Sequence, residues 1–218
     1  PQAEKKKTTY EEYAEQGKFD NLTATEGAND TLIVTATYKL GSLQKAEWHI
    51  APDGGARLVY SYIFNGVVDL MGVKFDLPET EVKHKEWLGC GPYRVWKNRI
   101  HGPQLGVWAN DYNDPVPGES FDYPEFKGYF AGVQWMKLQT RTGMITICPG
   151  TDKDYVGVYQ PRDGRDQLLY TLPETGISMM QVIPAVRNKV NTTDLNGPSA
   201  QPVWANGSYT GEVTLHFD

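Results

Sequence analysis

Tyr209, Gly211, Val213, Leu215 and Phe217 alternate with Thr210, Glu212, Thr214 and His216 at the end of this chain. Successive side chains of an extended strand point to opposite faces, so a period of two marks a half-buried strand and excludes an amphipathic helix. The same signature recurs upstream. Leu32, Val34, Ala36 and Tyr38 alternate with Ile33, Thr35 and Thr37. The turn signal Asp53-Gly54-Gly55 introduces a β-rich run from Arg57 to Phe64. Met144-Ile145-Thr146-Ile147 and Tyr155-Val156-Gly157-Val158-Tyr159 are short runs bounded by Gly, Pro and Asp. Many short runs with turn punctuation and almost no 3.6-residue period predict an all-β, antiparallel sandwich or barrel.

Organisation follows from the same reading. Residues 1–18 form a polar tail or linker, in which Thr9 and Glu12 have capping-box spacing and Tyr10 to Gln16 suit a short helix. Residues 19–218 read as a single β domain. At 218 residues the chain is long enough to bury a substantial core. It opens at Pro1 without a signal-peptide pattern, as an excised module or processed form would. The Asn-X-Ser/Thr sequons at Asn21, Asn29, Asn191 and Asn206 mark surface loops.

Charge narrows the partners. A net charge of −6, with Lys5-Lys6-Lys7 as the sole basic run, argues against nucleic acid, because a phosphate-binding face concentrates Lys and Arg. No apolar run is long enough to span a membrane as a helix. Cys90 and Cys148 suit either a pair or two buried thiols.

The stretch most suggestive of a site runs from residue 87 to 135 and holds four of the six tryptophans among Gly, Pro, Asn and charged groups. Flat aromatic faces beside forked donors and acceptors are what a sugar requires of a protein surface, and large aromatics equally fill cores. Trp96, Trp108, Tyr112 and Trp135 are the expected stacking platforms. Arg99, Asn110, Asp111 and Glu119 are the expected hydroxyl partners. Trp87 and Trp135, in strand-like contexts, are the readiest to belong to the core. Asp111, Asn113 and Asp114 place oxygen ligands in a pattern suited to calcium, without the full EF-hand spacing, and no other cofactor is expected.

Two runs carry a resemblance. Met71-Gly-Val-Lys-Phe-Asp-Leu-Pro78 and Val82-Lys-His-Lys-Glu-Trp87-Leu-Gly-Cys-Gly-Pro92 resemble the C-terminal domain of family 2 β-galactosidases, with Gly89, Gly91, Pro92 and Arg99 in register and Pro124 with Gly128 matching a later element. The resemblance spans residues 25–218 and implies a two-sheet antiparallel β-supersandwich, the fold of galactose mutarotases. It departs at Arg94, Trp96 and Asn98, where the family has Glu, Tyr and Asp. It departs again at Phe126, where the family's Glu is displaced to Glu125. Thr193-Asp194-Leu195 lacks the family's sugar-reaching Trp, and Trp204 lies near it but out of register.

Catalysis by this chain alone is not expected. Family 2 hydrolysis uses two glutamates on a (β/α)₈ barrel, for which the chain lacks length and βα alternation. Asp111 with Asp114, or Glu119 with Asp122, form no obvious acid/base pair. His49, His84, His101 and His216 fit no epimerase motif. The expectation is a non-catalytic carbohydrate-binding module of a glycoside hydrolase, with a polysaccharide or oligosaccharide and a neighbouring catalytic domain as partners, in a secreted or periplasmic bacterial setting. The alternatives are a structural domain that buttresses the catalytic barrel, and an aldose 1-epimerase-like enzyme.

Overall fold

β12 (Val203–Phe217) is the axis of the architecture, pairing antiparallel with β4 (Ala56–Val68) from Val203↔Val68 to Leu215↔Ala56. The computed structural model describes residues 17–77, 81–111, 128–158, 176–186 and 195–218. The expected Tyr10 to Gln16 helix lies outside them. Sequence neighbours continue the sheet on one side as a meander, β1 (Lys18–Glu26), β2 (Leu32–Leu40) and β3 (Leu43–Ile50), which ends on β4. Beyond β12 come β9 (Met144–Pro149) and β8 (Tyr129–Thr140).

β8 is the branching strand. It pairs with β6 (Val82–Val95), which carries the edge strand β7 (Gln104–Asp111). Through Val156↔Phe130 it also reaches β10 (Tyr155–Gly157), and from there β11 (Ile177–Val182) and β5 (Met71–Phe75). The strand order is β1-β2-β3-β4-β12-β9-β8-β10-β11-β5. The sheet curls so that β5, β11 and β10 lie over the inner face of β3, β4 and β12, giving the expected all-β antiparallel sandwich.

The core lies between these layers. Leu58 and Tyr60 of β4, Val213 and Leu215 of β12 and Ile147 of β9 meet Val156 and Met179 from the opposite layer. Trp87 of β6 is fully buried, its ring edge-on to Phe130 with centroids 4.9 Å apart. A second cluster, made of Val95, Trp96, Tyr129, Met180, Ile183 and Val186, packs on the other side of β11. The alternation of β12 reads onto the core as far as Leu215, whereas Phe217, past the end of β4, is exposed. β2 forms as expected, but its burial does not alternate, because the β1–β2–β3 wing extends past β5. Its inner-face residues Leu22, Leu32 and Ile50 therefore stay exposed.

Candidate binding face on strands β7, β6 and β8

The Trp87-Leu-Gly-Cys-Gly-Pro92 motif forms the body of β6, and its glycine has a local reason. A Cβ on Gly91 would lie 2.6 Å from Cδ1 of Trp108, so only glycine lets the indole of the neighbouring strand cross the backbone here. The Gly91–Pro92 peptide is cis. After β6 the chain reverses through Lys97 and Asn98. Trp96 N donates to Arg99 O at 3.2 Å and Arg99 N to Trp96 O at 2.8 Å.

This geometry divides the expected sugar-contacting residues. Trp96 is 1% exposed and set edge-on to Tyr129 at 5.8 Å, so both its faces are spent on the core and it offers no platform to a ligand. Trp108 stands opposite Trp87 on the inward side of β7, half-buried, with Nε1 donating to Gln104 O at 3.2 Å. Asn110 shares that inward side, opposite the fully buried Lys85, whose Nζ donates to Asp111 O at 2.8 Å. Arg99 is exposed in the turn. Tyr112, Asn113, Asp114 and Glu119 lie outside the described residues. Among the described residues no three His, Cys, Asp or Glu side chains group as a metal site.

Asp111 and Trp135 share the outward face, two strands and two rows apart. The ladders align Val107–Leu88–Trp135 in one row across β7, β6 and β8, Ala109–Glu86–Lys137 in the next, and Asp111–His84–Gln139 in the third. Leu105 and Val107 are 70% and 61% exposed, while Leu88 and Trp135 are half-buried. The polar groups are paired at the margin. His84 Nδ1 lies 2.9 Å from the Asp111 carboxylate, and the Lys137 ammonium sits 5.5 Å from the Trp135 ring centroid. The result is an apolar ridge bordered on one side by Lys137 and by the His84–Asp111 pair. Leu88, Leu105, Val107, His84 and Lys137 were missed from the sequence. The legible signal was that β7 carries apolar residues on both faces, Leu105 and Val107 on one and Trp108 on the other.

The Glu47 carboxyl is held below its ordinary value by hydrogen bonds first from His49 and then from Lys45. Cys90 and Cys148 are free thiols, and burial pushes the Cys148 thiol up.

A family model described as "Beta galactosidase small chain" matches residues 2–184. The chain belongs to this family. The relation to β-galactosidases implied by the β5 and β6 motifs is thereby shown, and the match names the small chain. No curated protein matches the sequence. Within this small-chain domain, the edge strand β7 and its neighbours are where an apolar surface coincides with the Gly89-Cys90-Gly91-Pro92 segment.

Proposed function

We propose that this small-chain domain is a non-catalytic accessory part of a β-galactosidase-type enzyme and docks on the catalytic portion through the outward face of β7, β6 and β8. The observation that carries this reading is the ridge of Leu105, Val107, Leu88 and Trp135, bordered on one side by Lys137 and the His84–Asp111 pair. An apolar centre with a polar margin is the anatomy of a protein interface, and a contiguous exposed apolar patch is rarely left uncovered. The test is sedimentation of the isolated chain mixed with the catalytic portion of its parent enzyme. Wild type forms a complex, and Leu105→Lys with Val107→Lys abolishes it. A complex that survives both changes refutes this interface.

A second reading, carbohydrate contact on the same face, is favoured by the half-buried Trp135 ring and the exposed Asp111 carboxylate both lying on it. Titration of the chain with galactose-containing oligosaccharides, repeated with Trp135→Ala, separates it from docking, because only sugar contact on this face gives a heat that Trp135→Ala removes.

A further inference from the structure

β1 is the outermost strand of the sheet. It pairs with β2 on one side, and among the described residues nothing pairs with the other. Gly27 N donates to Thr31 O at 2.7 Å, which makes Gly27 and Thr31 the hydrogen-bonded pair that closes the β1–β2 turn. Such pairs alternate along an antiparallel ladder, so Thr25, Thr23 and Asn21 direct their backbone groups to β2. Glu26, Ala24 and Leu22 direct theirs outward, away from β2. The register slips at Phe19 and is regained at Lys18↔Leu40, which puts Lys18 in phase with them.

An open edge is a template for another strand, and proteins blunt such edges with charges, proline or bulges. Here Asn21-Leu22-Thr23-Ala24-Thr25 holds no charge and no proline, and the irregularity is confined to the stretch from Lys18 to Asn21. Lys18 and Glu26 sit instead at the two ends. β1 is thereby complementary to its own reverse. With Leu22 on a two-fold axis, Lys18 stands opposite Glu26 of the second copy, at both ends of the contact. Asp20, already ion-paired with Lys39 at 2.5 Å, meets Ala24. A slip of two residues in one direction sets Asp20 opposite Glu26, like charge against like. In phase on the ladder, Lys18, Leu22 and Glu26 share the inner face of the wing, where Leu22 is 56% exposed. Pairing sets Leu22 against Leu22 and covers part of that apolar surface.

We propose that β1 pairs antiparallel with β1 of a second copy of this chain, joining two small-chain domains through one continuous sheet in an isologous dimer. The contact is separate from the outward face of β7, β6 and β8.

The test is sedimentation equilibrium of the full chain from about 1 to about 500 µM. A strand-to-strand contact is a small interface, so a reversible dimer with a Kd of about 10–100 µM is expected. Ala24→Pro removes an outward N–H without touching the β2 ladder, and should weaken the dimer about tenfold or more. Lys18→Glu and Glu26→Lys each oppose like charges and should weaken it, whereas the double exchange, Lys18→Glu with Glu26→Lys, restores it. Leu105→Lys with Val107→Lys leaves this dimer in place. Circular dichroism verifies that each variant folds, and should Ala24→Pro not fold, the charge exchange carries the assignment. A wild type that stays monomeric throughout, a dimer indifferent to Ala24→Pro and to both single reversals, or a double exchange that fails to restore it overturns the proposal. Loss of the dimer in Leu105→Lys with Val107→Lys overturns it in favour of the outward face.

Discussion

Asn98 and Val186 are tied by two hydrogen bonds, Asn98 Nδ2 donating to Val186 O at 2.8 Å and Val186 N donating to Asn98 Oδ1 at 2.9 Å. The amide thus joins the turn after β6 to the segment after β11, and Lys97 N adds a bond to Pro184 O at 3.0 Å. Where the β-galactosidase resemblance has Asp, an amide stands here, and only an amide both donates and accepts at this place. Asn98→Asp loses the donor and sets a carboxylate against Val186 O. Urea unfolding should show a loss of about 1–3 kcal/mol, with an unchanged dependence on urea.

The tryptophans divide by burial. Trp87→Ala removes a fully buried ring and its edge contact with Phe130, and should cost about 3–5 kcal/mol. Trp135→Ala, on the outward face, should cost under about 1 kcal/mol. Equal losses in thermal unfolding would contradict this placement.

Gly91→Ala introduces a methyl 2.6 Å from the Trp108 ring. The indole must leave its seat, so a destabilisation of about 1–3 kcal/mol is expected. Adding Trp108→Leu should recover part of it, a coupling that a double-mutant cycle measures.

Burial raises the Asp154 carboxyl above its ordinary value. A raised acid favours the folded state fully below its unfolded pKa, and that contribution is lost as pH rises through the folded pKa. At neutral pH the buried charge is therefore a cost. Asp154→Asn should raise Tm at pH 7, with the advantage vanishing as pH falls below the ordinary carboxylate range. A Tm gain independent of pH would show that the titration of Asp154 is not its source.

Val107→Lys on the outward face of β7 should leave stability within about 0.5 kcal/mol while reducing self-association at high concentration, measured by light scattering. A large loss of stability would mean that Val107 is covered in solution.

The alternation through Val213 and Leu215, and the turn at Asp53-Gly54-Gly55, made the strands legible, because a period of two is a local property of extended chain. The relation to β-galactosidases was equally legible in Gly89, Gly91 and Pro92, whose spacing is rigid. The candidate site was not. Trp96, Trp108 and Trp135 are alike in type and neighbourhood, yet Trp96 is sealed beneath Tyr129, Trp108 lies inward over Gly91, and Trp135 faces out beneath Lys137.

Strand character, antiparallel class and family were thus determined along the chain, where backbone geometry and turn chemistry act over a few residues. Which ring is core and which is surface, and which distant groups share one core, was decided only when the sheet curled. Tyr60 and Met179 lie far apart in sequence, and it is the layering of β10 and β11 over β4 and β12 that removes both from water and sets them in one core.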